Sequence, residues 1–73
     1  MLSFKITESG VIQVHLDEQG LERLIRGVDS ARQHGHAHLC TPSNGGNALD
    51  EKTPFDEEGV GEVIIEWEGD KNG

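Results

Sequence analysis

The chain has 73 residues, 33% of them hydrophobic and only three aromatic, which leaves room for one small domain with a thin core and little for a deep catalytic cleft. Its formal net charge of −8 is uneven: residues 1–49 carry five acids against four bases, and residues 50–70 carry nine acids against Lys52 alone. Such a field repels phosphate, which argues against nucleic acid and anionic membrane and favours a basic protein partner.

The pattern of elements is legible from the N-terminus. Residues 2–7, LSFKIT, alternate Leu2, Phe4 and Ile6 with polar neighbours, the period of a strand with one buried face. Glu8-Ser9-Gly10 supplies a hairpin turn. Residues 11–16, VIQVHL, alternate again, with Ile12, Val14 and Leu16 on one face and Gln13 and His15 on the other. Asp17 is placed to cap a helix running to about Gln33, with Leu16 and Leu21 at the staple positions. Leu21, Leu24, Ile25 and Val28, extended by Ala31, form one apolar stripe. Gly27 costs about 1 kcal/mol against alanine inside a helix, so its presence predicts a close approach to the sheet. Gly35 is the expected C-terminal stop, and His34 suits the negative end of the helix.

Residues 36–41, HAHLCT, predict a third strand, with Ala37 and Leu39 toward the core and His36, His38 and Cys40 on the opposite face. Pro42 ends it. Residues 42–60 form a long acidic connection, pinned to the body by Leu49 and Phe55, and a loop of this length in a small domain carries function or is disordered. Residues 61–68, GEVIIEWE, predict a fourth strand with Val63, Ile65 and Trp67 inward. Residues 69–73 make a frayed tail.

The order β-β-α-β-β predicts a single α+β domain over residues 1–68, with the helix on one face of a four-stranded, mostly antiparallel sheet. The expected strand order is 2-1-4-3. The other sheet face is open to solvent or a partner, and an edge strand such as HAHLCT offers a surface for a homodimer.

The stretch QHGHAHLCTPSNGG, residues 33–46, holds three of the four histidines and the only cysteine. A single cysteine excludes an internal disulfide and any CxxC zinc module. His36 and His38 nonetheless have a metal-ligand spacing, and Cys40 continues the row, so a small zinc-binding protein is the alternative reading. His15 lies on the order of 14 Å away in the expected sheet, too far to share an ion. Cross-strand pairing of histidines with outward glutamates accounts for the same residues without metal. Catalysis finds no support: strand geometry holds Cys40 and the histidines parallel, with no third orienting group. Gly45-Gly46 opens no helix of the phosphate-binding kind. No enzymatic activity and no cofactor are expected. The absence of a leader pattern and of any apolar run near 18 residues predicts a cytoplasmic protein.

From residue 10 to 68, the hairpin, the leucine-patterned helix, the histidine-rich strand with its L-x-T-P step and the Gly-Gly-x-x-L turn resemble the small immunity proteins of bacterial polymorphic toxin systems. GHAHLCTPSNGG, residues 35–46, is the most specific part. The resemblance implies a non-enzymatic protein that binds and neutralises a cognate toxin, a basic one given the charge of this chain. The matching motif positions are His36, His38, Thr41, Pro42, Gly45 and Gly46. The sequence departs from the pattern at Cys40, where a larger apolar residue is expected, and at Asn44, where an aromatic is expected. With Asn44 in the same turn and Glu57 and Glu58 in the acidic loop, these positions form the candidate partner-binding set.

Overall fold

The structure, a computed structural model, describes residues 1–69. The elements follow in the order β1 (Leu2–Ile6), β2 (Ile12–Leu16), α1 (Glu18–His34), β3 (His36–Cys40), a 3-10 turn (Pro42–Asn44) and β4 (Glu62–Glu66). This is the expected α+β order. Apart from Gly69, the expected tail lies outside the described residues.

The helix ends follow the sequence signals. Asp17 accepts from the Gly20 backbone N–H at 2.9 Å and also pairs with the N-terminal ammonium group. Both contacts hold its carboxyl below the usual carboxylate range, the ammonium group most of all. Gly35 closes the helix in the left-handed conformation, φ 96°, and donates to Ala31 O at 2.7 Å. Gly27 has the predicted role: a Cβ there would stand 2.9 Å from Leu39 Cδ2 and 3.5 Å from Ile65 Cδ1. The missing side chain lets α1 settle onto β3 and β4.

One expectation is corrected. The strands form two separate antiparallel pairs, β1 with β2 and β3 with β4, rather than one four-stranded sheet in the order 2-1-4-3. The long connection explains the break. Asp50 N–H donates to Leu2 O at 2.7 Å and Val60 N–H to Phe4 O at 2.7 Å. The edge of β1 that β4 would have taken is thus filled by Asp50 and Val60 of the loop. Backbone groups must find partners wherever they are buried, and here the loop supplies them before the strand can.

The two hairpins meet under the helix. Leu2, Leu39 and Leu49 are buried, with Phe4, Leu24, Ala48, Val63 and Ile65 packed around them. Leu49 is the loop anchor the sequence predicts. Phe55 is not: it is 72% exposed, because it lies edge-on against His15 with ring centroids 5.7 Å apart instead of entering the core. The apolar face of the first hairpin is also less covered than its alternation predicts. Leu2 is buried, but Ile6, Ile12, Val14 and Leu16 are exposed. Leu21, Ile25 and Val28 of the helix stripe are exposed as well. The helix lies mainly along β3 and β4, so it covers only the Leu2 end of the first hairpin.

The opposite, polar face of that hairpin is the covered one. Ser3 is buried, and its register partner His15 is half-buried under Phe55. Lys5 pairs with Glu57 at 3.6 Å. Phe55 and Glu57 of the loop therefore pack on the polar face of the first hairpin, while Ala48 and Asp50, earlier in the loop, meet Arg23 of the helix.

Candidate functional site

Alternation along β3 and β4 sends Ala37, Leu39, Val63 and Ile65 toward the helix and the intervening side chains away from it. The outward set is His36, His38 and Cys40 from one strand and Glu62, Ile64 and Glu66 from the other. The register sets His36 opposite Glu66, His38 opposite Ile64 and Cys40 opposite Glu62. His36 and His38 meet edge to face, 5.2 Å between centroids. His38 Nδ1 reaches diagonally to Glu62 Oε2 at 2.7 Å, and the Cys40 thiol donates to the same oxygen at 3.6 Å. The bond from His38, then that from Cys40, holds the Glu62 carboxyl below its ordinary range. Partial burial, reinforced by the Glu62 charge, pushes the Cys40 thiol up. Cys40 is thus a protonated thiol at neutral pH, unsuited to nucleophilic attack.

His38, Cys40 and Glu62 form a hydrogen-bonded cluster. Among the described residues, no group of three or more His, Cys, Asp or Glu side chains is placed to hold a metal ion.

The turn after β3 is built from the motif residues themselves. Thr41 is buried; its N–H donates to Gly61 O at 3.0 Å, and its hydroxyl donates to the same oxygen at 3.3 Å. Asn44 Nδ2 donates back to Thr41 Oγ1 at 3.1 Å. Gly45, φ 86°, takes the left-handed conformation that closes the 3-10 turn. A Cβ on Gly46 would stand 2.7 Å from Cys40 Cβ and 2.8 Å from Cys40 O, so only glycine fits there. Ser43 donates to Glu51 Oε2 through its N–H (2.7 Å) and its hydroxyl (2.6 Å), which lowers the Glu51 carboxyl.

The candidate positions therefore divide by location. His36 and His38 stand exposed on the outward strand face, and Pro42, Asn44 and Gly45 are exposed in the adjoining turn. Thr41 and Gly46 shape that turn from within. Glu57 and Glu58 are exposed on the loop, where Glu57 pairs with Lys5 of β1. Glu51 is the residue that sequence reasoning missed. Its eight-residue separation from Ser43 spans irregular chain, where no periodicity signals a contact.

The chain matches no family model, and no curated protein and no solved structure is similar to it. Among the described residues, no helix is long and apolar enough to cross a membrane.

Proposed function

We propose that this protein is a non-enzymatic immunity protein that binds and neutralises a basic toxin domain. One observation carries the reading. The outward face of β3 and β4 exposes His36, His38, Glu62 and Glu66, and the loop exposes Glu57 and Glu58, in a chain of net charge −8. An acidic surface of this kind steers a basic partner and fixes its register. The turn built by Thr41, Asn44 and Gly46 holds Pro42, Asn44 and Gly45 exposed beside that face. The resemblance of GHAHLCTPSNGG to toxin-neutralising proteins points the same way.

The deciding experiment is co-expression with the C-terminal domain encoded immediately upstream. The upstream domain alone stops growth, and this chain restores it and co-purifies in a 1:1 ratio. Reversing Glu57 and Glu58 to lysine slows association about tenfold at low salt and flattens its salt dependence. A harmless neighbour, or no complex with a toxic one, sinks the proposal. Tight zinc binding abolished by His36→Ala with His38→Ala would favour the metal reading instead.

A further inference from the structure

The side of the molecule that the acidic loop leaves alone has a different character. Residues 1–34 hold five acids and four bases, and β2 itself, IQVHL, has no acid, lysine or arginine. Ile6, Ile12, Val14 and Leu16 of the first hairpin and Leu21, Ile25 and Val28 of α1 are each between 38% and 63% exposed. Those of the hairpin share one face. Ile6 and Ile12 are register partners, as are Phe4 and Val14, and Leu2 and Leu16. Leu16 Cβ lies 3.2 Å from where a side chain on Gly20 would begin, so the hairpin face runs into the first turn of the helix. On α1, Leu24, Ile25, Val28, Asp29 and Arg32 line a shallow, mostly apolar hollow of about 400 Å³.

Together the seven side chains leave an exposed apolar patch of the kind that is often functional on a small protein.

The backbone of β2 supplies the second half of the argument. Leu2 O and Phe4 O point away from β2, toward Asp50 and Val60. Ser3 and Lys5 therefore face β2, where they pair with His15 and Gln13. It follows that Ile12, Val14 and Leu16 direct their N–H and C=O groups outward, and no backbone partner for them exists among the described residues. An open edge flanked by exposed β-branched side chains is a template for another strand.

We propose that the occupant is a second copy of this chain, paired antiparallel through β2 about a two-fold axis at Val14. This register is self-complementary. It sets Ile12 opposite Leu16 of the second copy, Val14 opposite its own mate, and Gln13 opposite His15. No like charges meet across it. The result is a four-stranded sheet in the order β1-β2-β2-β1 whose joined apolar face draws in Leu21, Ile25 and Val28. Charge selects this geometry: the near-neutral side tolerates a like copy, whereas the loop side repels one. The toxin surface stays free on each protomer, so the proposal stands apart from the immunity reading.

Sedimentation equilibrium of the full chain across a hundredfold concentration range is the test. The wild type reaches about twice its 8.0 kDa mass. Val14→Lys weakens association at least a hundredfold with its circular dichroism unchanged, and Ile64→Lys, exposed on the other face, leaves it intact. Hydrogen exchange on the wild type gives a check that needs no variant: the amides of Ile12 and Val14 gain protection as concentration rises. A wild type that stays monomeric at 0.5 mM (on the order of the weakest dimers of interest) overturns the proposal. So does a Val14→Lys variant that associates like the wild type, or dissociation by Ile64→Lys.

Discussion

Cys40 shows how a strand neighbour decides the chemistry of a side chain. Its thiol is partly buried and donates to the Glu62 carboxylate, and both effects disfavour the thiolate. Alkylation by iodoacetamide at pH 8 is therefore slower than that of a free cysteine. Glu62→Gln removes the charge and speeds the reaction, as mass spectrometry of quenched samples will show. Ser3 makes the complementary case. Its hydroxyl and His15 Nε2 are buried without a hydrogen-bond partner among the described residues. A lone buried hydroxyl costs about 1–3 kcal/mol, so Ser3→Ala raises stability by about 1 kcal/mol in urea unfolding, against the usual direction for a buried substitution.

Among the elements, the loop between β3 and β4 is the one that changes the fold. It is tied at Leu49, whose N–H donates to Cys40 O at 3.1 Å while its side chain fills the core. Leu49→Ala should cost about 2–5 kcal/mol, a large share of the roughly 4–10 kcal/mol that a chain this long commands. Phe55→Ala should cost about 1 kcal/mol or less, since the ring is mostly exposed and contributes one edge contact. Urea midpoints compare the two directly. The Ser43–Glu51 tie gives the loop a pH dependence. The folded state lowers the Glu51 pKa below its ordinary 4.5, so its contribution is full above that value and is lost as pH falls through the lowered one. Glu51→Gln lowers the urea midpoint at pH 7, and the difference from the wild type shrinks as the pH is lowered through the carboxylate range. All five regular elements were legible in the sequence, because period two and period three-to-four patterning with Asp17, Gly35 and Pro42 as punctuation marks each one. The sheet topology was not. Whether β4 or the loop ends reach the edge of β1 depends on backbone hydrogen bonds from Asp50 and Val60, which no side-chain pattern encodes. The histidine face was legible for the same reason as its strand, whereas the role of Thr41 and Gly46 as builders of the turn emerges only from their contacts.

At the scale of the whole molecule, the chain is two-sided. Glu62 and Glu66 stand on the face of β3 and β4 away from the helix, and Glu57 pairs with Lys5 on the polar face of the first hairpin, whereas the apolar surplus lies on that hairpin's other face and on α1. The core is small, with Leu2, Leu39 and Leu49 as its buried centre, and so many apolar side chains are left outside that the monomer alone is only modestly stable. Association through β2 would supply what the core lacks, and mass action gives that coupling a signature. A partner that binds the folded state alone raises its apparent stability in proportion to the logarithm of concentration. The melting temperature of the wild type should therefore climb by several degrees between about 5 µM and 500 µM, since about 1 kcal/mol shifts a domain of this size by 4–8 °C. Val14→Lys should melt at one temperature throughout, close to that of the wild type at the dilute end. Ile64→Lys, on the face opposite the helix, should retain the full slope. Differential scanning calorimetry of the three proteins over that range separates a fold completed by its own copy from one that is self-sufficient: in the second case all three traces are flat.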